Sequence, residues 1–247
     1  APDARVLASL DRARALPSDG RFLVVGAGSQ RLLMFDDGRL RDSMRVIVGK
    51  PGSQTPMIAS VIHYATFNPY WNVPADLVRK TIAPNVLRYG KGYLADRSYE
   101  LLSGFGDNPS VLSPSDVDWQ AVVDGRETIR VRQLPREDNA MGEVKFGLTN
   151  GRGIFLHDTP NKELFDKSQR TFSSGCVRLE DAPRLARWLL GREPADYAGL
   201  AEHHVRLPRS VPIYITYLTA TEQAGEVPFT DDIYGRDDAW QARVAAR

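Results

Sequence analysis

Three short apolar runs, at residues 22–25, 32–35 and 44–48, are separated by Gly26-Ala27-Gly28-Ser29 and by Asp36-Asp37-Gly38. Runs of this length suit strands, and Gly- and Asp-rich interruptions supply turn chemistry. The segment therefore predicts an antiparallel meander, which commits the chain to a sheet from its first third. Further strands are expected at 60–67, 128–133, 153–157 and 211–217. The predicted fold class is mainly β with peripheral helices.

Two stretches read as helix. In residues 5–16, Val6, Leu10, Ala13 and Leu16 recur at helical spacing until Pro17-Ser18-Asp19-Gly20 stops the run. Later, Asp181 is placed to cap, Pro183 suits a first turn, and Leu185, Trp188 and Leu189 form an apolar stripe that Gly191 ends. Between 68 and 127 the texture changes. Pro69, Pro74, Pro84, Pro109 and Pro114 break a Gly- and Ser-rich stretch, with helix-like pieces at 73–82 and 119–123. That is too long for a structureless loop inside a compact domain. The organisation expected is an N-terminal helix and linker at 1–20, a catalytic domain at 21–68 and 128–247, and an inserted capping subdomain at 69–127.

Composition narrows the partners. Lys and Arg number 32 against 31 Asp and Glu, a net charge of +1, so no nucleic-acid partner is expected from bulk charge. No run approaches the length of a membrane span. Ala1 is not an initiator Met, so the chain reads as processed or cut from a longer one, with any address or membrane anchor in the missing piece. Val24-Val25-Gly26-Ala27-Gly28 begins like a dinucleotide fingerprint, but Arg31 holds the third glycine's place and a strand follows. With a single Cys and no His ligand spacing, no metal or other cofactor is expected.

The chemistry concentrates in 153–179. His157 closes a strand-like run, and Cys176 follows 19 residues later within Ser173-Ser174-Gly175-Cys176-Val177-Arg178. A thiol with a reference pKa near 8.5 is only about 3% ionised at pH 7, so a nucleophilic Cys needs a base. An imidazole can take that proton and later return it to a leaving amine. Gly175 lets the backbone approach a carbonyl, and the amides of Gly175 and Cys176 are candidate oxyanion donors. Ser173 and Ser174 keep the approach open, and Arg178 is suited to fork a substrate carboxylate. Each residue taken singly also has a structural reading: a core histidine, a buried thiol, a surface charge.

His157, fifteen intervening residues, then Ser-x-Gly-Cys-Val-Arg resembles the signature of bacterial L,D-transpeptidases with a YkuD-type catalytic domain. Met44-Arg45-Val46-Ile47-Val48-Gly49-Lys50-Pro51, Thr55-Pro56, Phe67-Asn68-Pro69-Tyr70-Trp71-Asn72-Val73-Pro74, Asn139-Ala140-Met141-Gly142 and Asp231-Asp232-Ile233-Tyr234-Gly235 are similar to the larger Gram-negative periplasmic branch. The resemblance implies a β-sandwich catalytic domain with a capping subdomain over the cleft, and cross-linking of peptidoglycan. Cys176 would attack the carbonyl ahead of the terminal D-Ala of a tetrapeptide donor stem. The diaminopimelate amine of an acceptor stem would then resolve the thioester into a 3→3 link. His157 would be the base, Gly175 and Cys176 the oxyanion donors, and Arg178, Ser173, Ser174, Phe155 and Trp71 would face substrate. Phe155 stands where a Tyr often precedes the catalytic His by two. The same acyl-enzyme resolved by water would make an L,D-carboxypeptidase or a hydrolase, and no residue in the sequence fixes that choice. The implied location is the periplasm.

Overall fold

The computed structural model describes residues 3–104, 106, 108–151, 153–195, 200–221 and 226–246. In chain order its strands are β1 (Phe22–Gly26), β2 (Arg31–Asp36), β3 (Arg39–Gly49), β4 (Ile58–Phe67), β5 (Trp71–Asn72), β6 (Tyr99–Leu102) and β7 (Val111–Leu112). Then come β8 (Arg130–Gln133), β9 (Val144–Leu148), β10 (Phe155–His157), β11 (Thr171–Ser173), β12 (Val177–Leu179) and β13 (His203–Thr216). The α-helices are α1 (Ala4–Ala13), α2 (Ala75–Leu77), α3 (Ala83–Tyr89), α4 (Gly92–Asp96), α5 (Trp119–Asp124), α6 (Ala182–Leu190) and α7 (Arg236–Ala245).

The chain divides into two compact units, Ala1–Thr66 with Val144–Ala195 and His204–Arg247, and Phe67–Glu143 with Asp196–His203. The first carries a nine-stranded sheet in the order β11-β3-β12-β10-β9-β4-β13-β1-β2. Strand β3 also pairs with β2, so the sheet closes on itself. One long strand makes this possible. Residues 39–45 of β3 pair with β2, and Val46 and Ile47 pair with Leu179 and Arg178 of β12. The expected β1-β2-β3 meander forms with the Asp36–Arg39 turn at its second corner. The mainly β fold with peripheral helices is therefore what the chain forms, and closure leaves few free edges. Leu23, Leu32, Met34, Val46 and Ile62 are fully buried inside it, each such side chain contributing about 1.5–3 kcal/mol.

Two helices flank the sheet for reasons visible in their ends. The Asp181 carboxylate accepts the Arg184 N–H at 2.9 Å at the start of α6, and Gly191 closes it in the left-handed region at φ +68°. Asp3 caps α1 in the same way through Arg5 N–H. Helix α1 belongs to the first unit rather than to a separate linker: its Ser9 hydroxyl accepts the Thr219 and Ala220 N–H groups, each at 3.2 Å.

The second unit has its own core, with Trp119, Val122, Ile82, Val86, Leu94, Leu101 and Val131 packed together. Its four-stranded sheet runs β5-β8-β6-β7. This unit extends past residue 127, because β8 pairs with β5 and β6 within it and the chain continues to Glu143 before returning.

Candidate active site

Strand alternation gathers the chemical residues. Strands β10 and β12 run parallel with Leu156 opposite Val177 and His157 opposite Arg178. Strand β9 lies antiparallel along β10, with Lys145 opposite His157 and Gly147 opposite Phe155. Because successive side chains leave opposite faces, Leu156, Val177 and Leu179 enter the core, all fully buried. Phe155, His157 and Arg178 share the other face. Cys176 joins them: its sulfur takes a hydrogen bond from the Phe155 backbone and lies within the field of Arg178.

His157 is only 4% exposed, and its Nδ1 lies 2.6 Å from the Asp158 carbonyl oxygen. A carbonyl can only accept, so Nδ1 carries the proton and Nε2 keeps its lone pair. Burial, with a smaller contribution from the charge of Arg178, pushes the imidazole down to about 4, against the pull of the Asp158 carbonyl. At neutral pH the ring is therefore an uncharged base. The Asp158 carboxylate is engaged elsewhere, accepting a hydrogen bond from Lys162 Nζ at 2.5 Å.

The thiol of Cys176 is half-buried and free. Burial raises its pKa, while the Phe155 N–H and Arg178 oppose that rise. At neutral pH the imidazole and the thiol are thus both uncharged, and a thiol in this state needs a base to become a nucleophile.

The turn before Cys176 is closed by its own atoms. Ser173 Oγ donates to the Cys176 carbonyl at 2.5 Å and accepts the Gly175 N–H at 3.1 Å. Gly175 sits at φ +118°, where a side chain would be strained. Two sequence expectations change here. The buried Ser173 hydroxyl is engaged within the turn rather than facing substrate, and the Gly175 N–H is engaged with it rather than available as an oxyanion donor. Ser174 is exposed on the turn.

Arg178 differs from the ion-paired arginines of this unit. It is buried with no carboxylate beside it among the described residues, so burial lowers its pKa with only the Cys176 sulfur acting the other way; its buried Nε lacks a hydrogen-bond partner, as do those of Arg21 and Arg184. A guanidinium in this state is chemically suited to pair with an anion. Trp71 lies in β5 of the second unit, packed on that unit's core. Among the described residues no cluster of His, Cys, Asp and Glu is arranged to hold a metal.

A residue with no chemical signature in the sequence also reaches the site. Thr55, fully buried, donates from Oγ1 to the Gly175 carbonyl at 2.9 Å and accepts the Gly49 N–H at 2.8 Å. Tyr234 backs it, donating to the Gly49 carbonyl at 2.5 Å and accepting the Thr55 N–H at 3.3 Å. Both lie in stretches that carry the family resemblance, and only long-range contacts show what they hold.

Residues 20–215 match the family described as the L,D-transpeptidase catalytic domain, YkuD. A Haemophilus influenzae protein whose name proposes it as an L,D-transpeptidase is 32% identical over 233 residues, 92% of this chain and 46% of that protein. The chain thus spans about half the length of this curated relative. Among solved structures, the catalytic domain of an E. faecium L,D-transpeptidase acylated by ertapenem aligns at 11% identity over 80% of this chain and 98% of that one, with a TM-score of 0.39. The L,D-transpeptidase from Mycobacterium smegmatis aligns at 15% identity over 79% and 58%, with a TM-score of 0.37.

Proposed function

The chain belongs to the YkuD family of L,D-transpeptidase catalytic domains, and from that premise we propose that it forms 3→3 peptidoglycan cross-links through a thioester on Cys176. The observation that carries this reading is the His157 Nδ1–H bond to the Asp158 carbonyl, which leaves Nε2 as a neutral base on the face that holds the only thiol.

In the first half-reaction Sγ bonds to the carbonyl ahead of the terminal D-Ala of a tetrapeptide donor. His157 Nε2 takes the thiol proton, the C–N bond to D-Ala breaks, and the imidazolium returns the proton to the departing amine. In the second, the diaminopimelate amine of an acceptor stem attacks the thioester, the C–S bond breaks, and His157 carries the amine's proton back to the sulfur. Arg178 holds a donor carboxylate. The oxyanion that forms twice is met by a backbone N–H of the nucleophile turn. The location proposed is the periplasm, where the wall substrate lies; no helix among the described residues is long and apolar enough to cross a membrane.

Incubation with disaccharide-tetrapeptide, followed by mass analysis of the products, tests the reading. Cross-linked dimers with release of D-Ala are expected. Tripeptide alone would assign the chain to L,D-carboxypeptidase chemistry, with water resolving the same thioester.

A further inference from the structure

The Gly175 carbonyl and the Cys176 N–H belong to one peptide unit. In a trans peptide these two groups point in opposite directions from the same plane, and no peptide among the described residues is cis. Whatever fixes the Gly175 oxygen therefore fixes the aim of the Cys176 N–H. Thr55 Oγ1 fixes it, at 2.9 Å, from a fully buried position. The neighbouring Gly175 N–H is already bonded to Ser173 Oγ, so the donor whose direction Thr55 sets is the Cys176 N–H.

We propose that Thr55, braced by Tyr234, is a positioning residue that turns the Cys176 N–H toward the oxyanion formed at the attacked carbonyl. The inference rests on the role of Cys176 given above and adds to it the group that sets the direction of its amide.

The brace is built without slack. Thr55 Oγ1 has one proton, given to Gly175, and accepts the Gly49 N–H at 2.8 Å. At Gly49 a Cβ would lie 2.0 Å from the Ser53 carbonyl oxygen and 2.8 Å from the Thr55 nitrogen, so only glycine permits this approach. Tyr234 bonds both the Gly49 carbonyl and the Thr55 N–H, holding Thr55 by its backbone at the end of β3. Tyr234 is held in turn. Its N–H donates to Tyr217 Oη at 3.1 Å, and Tyr217 donates to Asp232 at 2.7 Å. Asp232 accepts the N–H groups of Arg236, Asp237 and Asp238 at the start of α7. A run of hydrogen bonds thus leads from a helix near the C-terminus to the peptide that carries the oxyanion donor. All of these groups lie in the first unit.

Two reactions at the same sulfur separate positioning from plain structure. Acylation by ertapenem joins Sγ to the lactam carbonyl, breaks the lactam C–N bond with the thiol proton passing to that nitrogen, and goes through an oxyanion. Alkylation by iodoacetamide displaces iodide at a saturated carbon and needs no oxyanion donor. Thr55→Val, which keeps the shape and removes the hydroxyl, should slow ertapenem acylation by at least roughly tenfold, toward the about 10²–10³ that loss of an oxyanion donor costs. Its iodoacetamide rate should stay at the wild-type value, and Thr55→Ser should restore acylation. Tyr234→Phe should show a smaller loss of the same selective kind, and it supplies the comparison if Thr55→Val does not fold. Parallel loss of both reactions, or wild-type rates for both, overturns the positioning role. A wild-type protein that takes no adduct at Cys176 overturns the reading of the site, and this inference with it.

Discussion

Two polar networks in the first unit are built from the same kinds of group and end in opposite electrical states. Where α1 meets α7, Arg12 donates to Asp237 at 2.5 Å, to the Tyr217 carbonyl at 3.0 Å and to the Arg236 carbonyl at 2.8 Å. Asp237 is 1% exposed and also takes the Thr219 hydroxyl. The buried charges there meet their opposites. On the β10–β12 face, by contrast, Arg178 is buried with no carboxylate beside it among the described residues, and His157 is held neutral. A buried unsatisfied polar group costs about 1–3 kcal/mol. The first network is what the chain does when it needs only to hold itself together. The second keeps groups incomplete, as their proposed completion by substrate requires.

The sharpest break in that contrast is His157→Gln. Glutamine can still donate to the Asp158 carbonyl but cannot accept a proton at neutral pH, so carbapenem acylation should fall by about 10²–10⁴-fold. An intact-mass time course on the folded variant measures it. A rate near wild type would make His157 a core residue.

Next in size, Asp237→Asn should destabilise the protein by about 3–5 kcal/mol, because it leaves Arg12 buried without its anion. Denaturant unfolding reads this, and acylation of the folded protein should stay near the wild-type rate. Arg178→Met should do the reverse. Its unfolding free energy should not drop, whereas the donor tetrapeptide's KM should rise by roughly tenfold for a lost charge-assisted fork, or about 1.4 kcal/mol. If Arg178→Met unfolds as readily as Asp237→Asn, the two arginines do the same work and the contrast is wrong.

The contrast also has a signature in pH. An imidazole near its ordinary 6.5 when unfolded and about 4 when folded makes the unfolded chain bind more protons between those values. Stability is then full above pH 6.5 and falls as pH drops toward 4, by on the order of 3 kcal/mol from this group. The difference in unfolding free energy between pH 7 and 4, wild type minus His157→Gln, should show it. An equal pH dependence in both proteins would mean that His157 titrates freely.

Local pattern controls what is visible in the sequence. The meander's apolar runs and Asp- and Gly-containing turns, the Asp181 and Gly191 ends of α6, and the Cys–His spacing with its Ser-x-Gly lead-in are all legible over short stretches. Other features depend on partners far along the chain. Strands β11 and β12 are three residues each, too short for a period to show. Strand β13 runs through Pro208 and Pro212, which argue against a strand, yet Val205, Leu207, Val211, Ile213 and Ile215 keep one alternating buried face across both. Asp237 belongs to an acidic tail that reads as solvated surface or as a local salt-bridge partner; the partner is Arg12, 225 residues earlier, which draws it inside. Thr55 lies 120 residues from Gly175 in sequence, Tyr234 is farther still from Thr55, and neither residue type announces a role. The proposed nucleophile and base are thus legible, and the groups that hold their turn are not.

Everything proposed for this site depends on Cys176 taking the acyl group, with His157 as its base. Exposure of the wild-type protein to ertapenem, followed by intact-mass measurement and peptide mapping, tests that step. One adduct is expected, confined to the peptide that contains Cys176, and none on Cys176→Ala. An adduct of the same mass on Cys176→Ala, or one mapped elsewhere in the wild type, would contradict it.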